Sequence, residues 1–195
     1  MSQSIDVYCR ELSAALVPKI LKRLNDYDMK VEVHPDFALS QENDSGFVPF
    51  KFQLETPFFD KLNNKVLKSG FEIYISDFDF QKVKADIQPK PSFFEKLIGK
   101  KPREVAFARP EFEKRLQQCK KQVSFVWHSG DLFEYRFAFM TSAALTELTD
   151  GVCNNPAEDA WYDNRYILEQ AYREVSAFEK SINEEDCIYH EFDNW

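Results

Sequence analysis

Glycine is scarce in this chain, with 5 in 195 residues, and no GxGxxG or GxxxxGK[ST] run occurs, which argues against a glycine-rich phosphate cradle. Histidine is scarcer still, with 3 residues and no HxxxH or HExxH spacing, so a histidine-rich metal centre is not expected. The cysteines, Cys9, Cys119, Cys153 and Cys187, are far apart and form no CxxC pair; they read as buried free thiols. No apolar run approaches the length of a membrane span. The first residues, Met-Ser-Gln-Ser-Ile-Asp, lack a basic segment followed by an apolar one, so a cytoplasmic protein is expected.

Aromatic side chains are abundant, with 19 Phe, and 44% of the residues are hydrophobic, which suits a folded chain with a substantial core. The net charge of −8 is unevenly spread. Lys82 to Lys121 holds 12 Lys/Arg against 5 Asp/Glu, whereas Asp131 to Trp195 holds 4 against 15. Either the basic segment packs on the acidic one, or the acidic part faces a basic partner. Nucleic acid is disfavoured as a ligand, because its binding sites are normally basic.

Strict alternation predicts strands at Ile5–Cys9, Met29–Val33, Phe50–Leu54 and Phe71–Ile75. Leu12, Leu16, Ile20 and Leu24 recur every four residues and predict a helix, in which Pro18 must kink the rod or lie in the first turn. Thr56-Pro57 reads as a helix start, with Phe58, Leu62, Val66 and Leu67 inward and Gly70 at the end. The resulting β-α-β-β-α-β order is ferredoxin-like. A second such order is expected after a connector. It comprises a strand at Arg103–Ala108, a helix from Pro110, a strand at Val123–Trp127, a turn at Ser129-Gly130-Asp131, a strand at Phe133–Phe139, a helix at Thr141–Asp150 and a last strand from Val152. A helix over Asn164–Ile182 follows. The expected class is α+β. The expected units are residues 1–80 (ferredoxin-like), 81–102 (connector with a short helix at Phe93–Ile98), 103–155 (second ferredoxin-like half) and 156–195 (helix and acidic tail).

No catalytic motif emerges. Asp77 and Asp79 share a strand face and read as a solvated strand end. His34, His128 and His190 read as ordinary structural or surface residues. Lys100-Lys101-Pro102-Arg103 reads as a solvated loop, and Tyr8 and Tyr74 share their sheet face with Glu32, Glu55 and Glu72, which repel RNA. No metal or cofactor is called for. The candidate partner-binding residues are the acids Glu184, Glu185, Asp186, Glu191 and Asp193 with the aromatic anchors Tyr189, Phe192 and Trp195, joined by Trp161, which either covers the sheet edge or lines a groove.

The stretch Ala144-Leu-Thr-Glu-Leu-Thr-Asp-Gly-Val152, followed by Pro156 and Glu158, together with Ser69-Gly-Phe-Glu-Ile-Tyr74, resembles a group of uncharacterised bacterial cytosolic proteins. Some of these are similar to immunity proteins of polymorphic toxins. Asn154-Asn155-Pro156 stands where that pattern has Asp-Pro. Together with the small size, the acidic net charge and the lack of a catalytic motif, the resemblance points to a non-enzymatic protein that binds a basic partner such as a toxin. It implies no catalytic residues. The alternatives are a homodimeric assembly protein and a small enzyme that joins His128 or Asp77 to other polar groups in a deep pocket.

Overall fold

The computed structural model describes residues 2–35, 37, 39, 45–90, 104–128 and 131–194. Eight strands form one antiparallel sheet: β1 (Ser2–Cys9), β2 (Met29–Val33), β3 (Ser45–Leu54), β4 (Leu67–Asp77), β5 (Lys121–His128), β6 (Val152–Asn155), β7 (Ala160–Tyr162) and β8 (His190–Glu191). The order is β2-β3-β4-β5-β1-β6-β7, with β8 also paired to β4. The helices are α1 (Leu16–Asn25), α2 (Phe80–Asp86), α3 (Pro110–Leu116), α4 (Leu132–Thr149) and α5 (Ile167–Ser181). Among the described residues, no helix is long and apolar enough to cross a membrane.

Alternation sorts the sheet's two faces. Ile5, Val7, Phe50, Phe52, Phe71, Ile73, Val123 and Phe125 point to one face and are buried beneath α1, α4 and α5. On the other face a smaller cluster forms where Tyr8 and Val152 meet Phe80 of α2 and Phe112 and Leu116 of α3. Phe47 and Tyr74, also on that second face, are exposed. Pro18 is the third residue of α1, within the turn whose backbone donors have no intrahelical partner, so the helix runs on from it.

The α+β class holds, but the two ferredoxin-like halves are not what the sheet displays. The helix expected from Thr56 is replaced by a single 3-10 turn at Asp60–Leu62. Thr56 does not cap a helix: its amide and hydroxyl both bond to Asp28 Oδ1 at 2.8 and 2.5 Å. Asn64 takes the left-handed conformation (φ 58°), which no helix propagates, and Leu67 opens β4. β3 and β4 are thus neighbours in an antiparallel hairpin. No strand forms at Val105–Phe107. Across the expected subdomain boundary the sheet is continuous, with Glu72–Asp77 paired to Val126–Lys121. The expected helix at Phe93–Ile98 and the loop through Pro102 lie outside the described residues.

The largest departure is at Phe133–Phe139. These residues are the start of α4, a single helix of 18 residues. The apolar alternation is real but misleading, because Arg136 and Ala138 between the rings are buried too. From Arg136 to Thr146 every side chain is buried, and a helix buried all round has no polar face to reveal its period. Phe137 stacks on Phe50 and meets Phe52 edge-on, with centroids 4.6 and 4.8 Å apart. Tyr135 and Phe139 turn instead to Phe178 and Tyr162, at 5.3 and 5.7 Å. Asp150 closes the helix in the left-handed region (φ 50°), and Gly151 donates back to the Thr146 carbonyl at 2.9 Å. A side chain at position 151 would lie 2.7 Å from the Tyr8 carbonyl, so the close pass of β1 requires glycine there.

Among the described residues, one charged pair is enclosed in this core. Arg136 of α4 donates through Nε and Nη2 to both carboxylate oxygens of Glu179 of α5, at 2.7 and 2.8 Å, and each side chain is 2% exposed. The Tyr172 ring lies 5.9 Å from the guanidinium. Removing one member of a buried pair strands the other charge. Glu179→Ala is therefore expected to lower unfolding stability by about 3–5 kcal/mol in urea denaturation. A loss within the error of surface substitutions would show that the pair does not hold α5 to α4.

Candidate functional site

A cleft of about 920 Å³ opens where the end of β5, the start of α4, the end of α5 and the tail converge. Its carboxylates are Asp131, Glu158, Glu174 and Asp186, and none of its described lining residues is Lys or Arg. Trp127, Tyr135 and Phe178 supply its aromatic wall, with Tyr135 5.3 Å from both of the other rings. Local structure explains the placement. Trp127 follows from β5 alternation, Glu174 and Phe178 stand one turn apart on α5, and Tyr135 lies in the first turn of α4.

Asp131 is the hinge of the arrangement. It is the N-cap of α4, and its Oδ1 accepts from the Phe133 amide at 2.7 Å and the Ser69 hydroxyl at 3.0 Å. Its Oδ2 is buried and has no hydrogen-bond partner among the described residues. His190 Nε2 lies 3.7 Å from it. Burial raises the Asp131 carboxyl above its ordinary value, outweighing the opposing effects of the Phe133 amide, Ser69 and His190. Glu134, which accepts from the His128 amide at 2.5 Å, is raised by burial as well.

The tail is docked, and its own chain holds it. β8 pairs Glu191 with Leu67 and His190 with Lys68, and the Phe192 amide donates to the Val66 carbonyl at 3.1 Å. Glu184–Asp186 form a 3-10 turn. The Lys61 ammonium reaches the Glu184 carbonyl and lies 5.8 Å from the Tyr189 ring. Lys65 pairs with Glu191 and sits over Tyr189 at 5.4 Å, while Lys51 sits over Phe192 at 5.1 Å. Tyr189, Glu191 and Phe192 therefore anchor the tail, while Glu184, Glu185, Asp186 and Asp193 remain exposed. Of the expected tail residues, only Asp186 lines the cleft. Trp195 lies outside the described residues.

Trp161 is in β7, stacked at 6.1 Å on Tyr8 and 5.8 Å on Phe112, so it covers the sheet edge and is not part of the cleft. Asp77 and Asp79 have separate tasks: Asp77 pairs with Lys121 at 2.8 Å, and Asp79 caps α2 by accepting from the Gln81 and Lys82 amides. His128 does reach the cleft, but its Nδ1 is 3.8 Å from Glu134, beyond hydrogen-bond range. The four thiols are free and buried, and burial pushes Cys9 and Cys153 up to about 12 and Cys119 up to about 11, far from the thiolate that a nucleophile needs. Among the described residues no group of three or more His, Cys, Asp or Glu could hold a metal ion.

Sequence reading missed Trp127, Tyr135, Glu158, Glu174 and Phe178 as site residues. The i, i+4 pair Glu174 and Phe178 was the one local signal available. No protein-family model matches the chain, and neither a curated protein nor a solved structure matches it.

The raised Asp131 carboxyl has a definite sign in a pH experiment. Its folded form takes up a proton more readily than the unfolded chain. Its contribution to stability is thus complete below the ordinary value of about 3.9 and is lost as pH rises through the raised folded value. Asn retains the capping oxygen without the titration. Urea unfolding of the native chain and Asp131→Asn should show the native chain gaining relative stability as pH falls from neutrality toward the ordinary carboxylate value. An unchanged or reversed difference would contradict the burial of this carboxyl.

Proposed function

We propose that this is a non-enzymatic protein-binding protein whose acidic C-terminal part receives a basic protein, as an immunity protein neutralising a bacterial toxin would. The carrying observation is the cleft, with four carboxylates beside three aromatic rings and no Lys or Arg among its described lining residues. Such a surface steers a basic protein inward, and rings at its centre supply contacts from which water is excluded. Exposed Glu184, Glu185 and Asp193 extend the same sign along the tail. The same charge disfavours nucleic acid as the ligand. A cytoplasmic site of action accompanies this reading.

Trp127, Tyr135 and Phe178 suit the anchoring role better than Tyr189 and Phe192, which the chain's own lysines engage. A homodimer joined through sheet edges has less support, because the edge strand β2 carries exposed Lys30 and Glu32, charges that discourage edge pairing. A small enzyme would have to use His128, with its Nδ1 3.8 Å from Glu134, or His190, with its Nε2 3.7 Å from Asp131, both beyond hydrogen bonding.

The test is capture of partners by the tagged chain from extracts of its own source cells, beside the double variant Glu158→Lys, Glu174→Lys. One basic protein is expected in stoichiometric amount, released by high salt and absent with the variant. Co-expression should relieve the toxicity of that protein. Recovery of the chain alone or as a homodimer, or equal capture by the variant, would overturn the reading.

A further inference from the structure

The fold already contains one site where a guanidinium is bound between α4 and α5. Arg136 is gripped by both oxygens of Glu179 while the Tyr172 ring lies alongside. The cleft, between the same two helices, repeats the aromatic and acidic half of that arrangement. Tyr135 is the sequence neighbour of Arg136, and Phe178 is the neighbour of Glu179. Glu174 lies one helical turn before Phe178, on the side facing the cleft. Asp131 adds a carboxylate oxygen that is buried and without a hydrogen-bond partner among the described residues. A buried acceptor in that state is costly, and a donor brought by a ligand removes the cost.

We propose that the cleft is a receptor for an arginine side chain presented by the basic partner, with the guanidinium seated against the Trp127, Tyr135 and Phe178 rings and donating to Glu174 and Asp131. This rests on the reading of the cleft as the docking surface for a basic protein. Arginine is favoured over lysine for a physical reason. Its planar cation stacks on aromatic faces, loses its weak hydration easily and presents several donors in a fixed fork, whereas an ammonium is a compact, strongly hydrated point charge. Four carboxylates distributed around the rings suit a group that donates in several directions. Asp186 and Glu158, at the cleft's outer parts, serve longer-range attraction and favour further basic residues beside the arginine.

The experiment is an NMR titration of the full chain, following the Trp127 indole N–H and the Tyr135 ring. The probes are three capped peptides identical except for a central Arg, Lys or citrulline, the last being an uncharged analogue of arginine. The Arg peptide is expected to shift both signals with a Kd of about 1 mM or tighter, and to bind about tenfold more tightly than the Lys peptide. The citrulline peptide should produce no shift up to about 10 mM. Glu174→Gln and Asp131→Asn should each weaken the Arg peptide about tenfold. Asp131→Asn preserves the cap of α4, and an unchanged far-ultraviolet circular dichroism spectrum separates its effect from misfolding. Equal binding of the Arg and Lys peptides would overturn the arginine claim while leaving a basic partner in place. Absence of shifts from either peptide, with a basic protein still captured, would overturn the assignment to this cleft alone. Absence of both would overturn the protein-binding reading too.

Discussion

The enclosure of α4 is the constraint on which the rest of the structure depends. This helix presses Phe133 and Phe137 onto β3, packs beside α1 and receives α5 on its other flank. Fully burying one phenylalanine is worth roughly 1.5–3 kcal/mol, so its aromatic residues together outweigh any single polar contact in the molecule. Over its buried span, Arg136–Thr146, the helix meets most of its polar groups internally, with the Thr141 hydroxyl left without a hydrogen-bond partner among the described residues. Arg136 is met by Glu179, and Ser142 and Thr146 bond back to the carbonyls of Phe139 and Ser142 at 2.8 Å each. The first turn is satisfied by Asp131, which also ties the helix to Ser69 of β4. The cleft lies at this end, so the same residue that starts the helix also lines the candidate site.

Charge is distributed by a similar logic. Part of the acidic C-terminal region is neutralised within the chain. Arg115, from the basic segment, bonds Asp150 and Asp163 at 3.2 and 3.3 Å, and Lys61, Lys65 and Lys51 hold the tail against the β3–β4 region. Basic groups thus pack on part of the acidic region, while the cleft keeps four carboxylates with no Lys or Arg among its described lining residues. β8 occupies the stretch beside β4 that β5 does not reach, since β5 pairs with β4 from Glu72 onward and β8 pairs at Leu67 and Lys68. The tail is therefore part of the sheet and forms one wall of the cleft through Asp186 and Ile188.

Where one face of an element is wet and the other dry, the sequence was legible. The alternation of β1, β2 and β5 and the stripe of α5 were read directly, because burial on one side imposes a period. α4 was not legible, because burial on every side erases the period, and its odd-numbered aromatics imitate a strand. The stretch after Thr56 failed for the opposite reason: it has helical spacing, but Asn64 and the Thr56–Asp28 bonds commit it to a turn. At the candidate site the acidity was legible and the assembly was not. Trp127, Tyr135, Glu158 and Glu174 come from different parts of the chain, and their meeting depends on where α4 is buried.

Amide hydrogen exchange of the intact chain, resolved by peptide or by residue, tests this account most directly. The account predicts that the amides of Phe137–Thr146 exchange slowest, only through global unfolding, whereas those of His190 and Glu191 in the two-residue β8 exchange far sooner. Rapid exchange throughout Phe133–Phe139, or protection there in the every-other-residue pattern of an edge strand, would contradict a buried α4 and remove the cleft that depends on it.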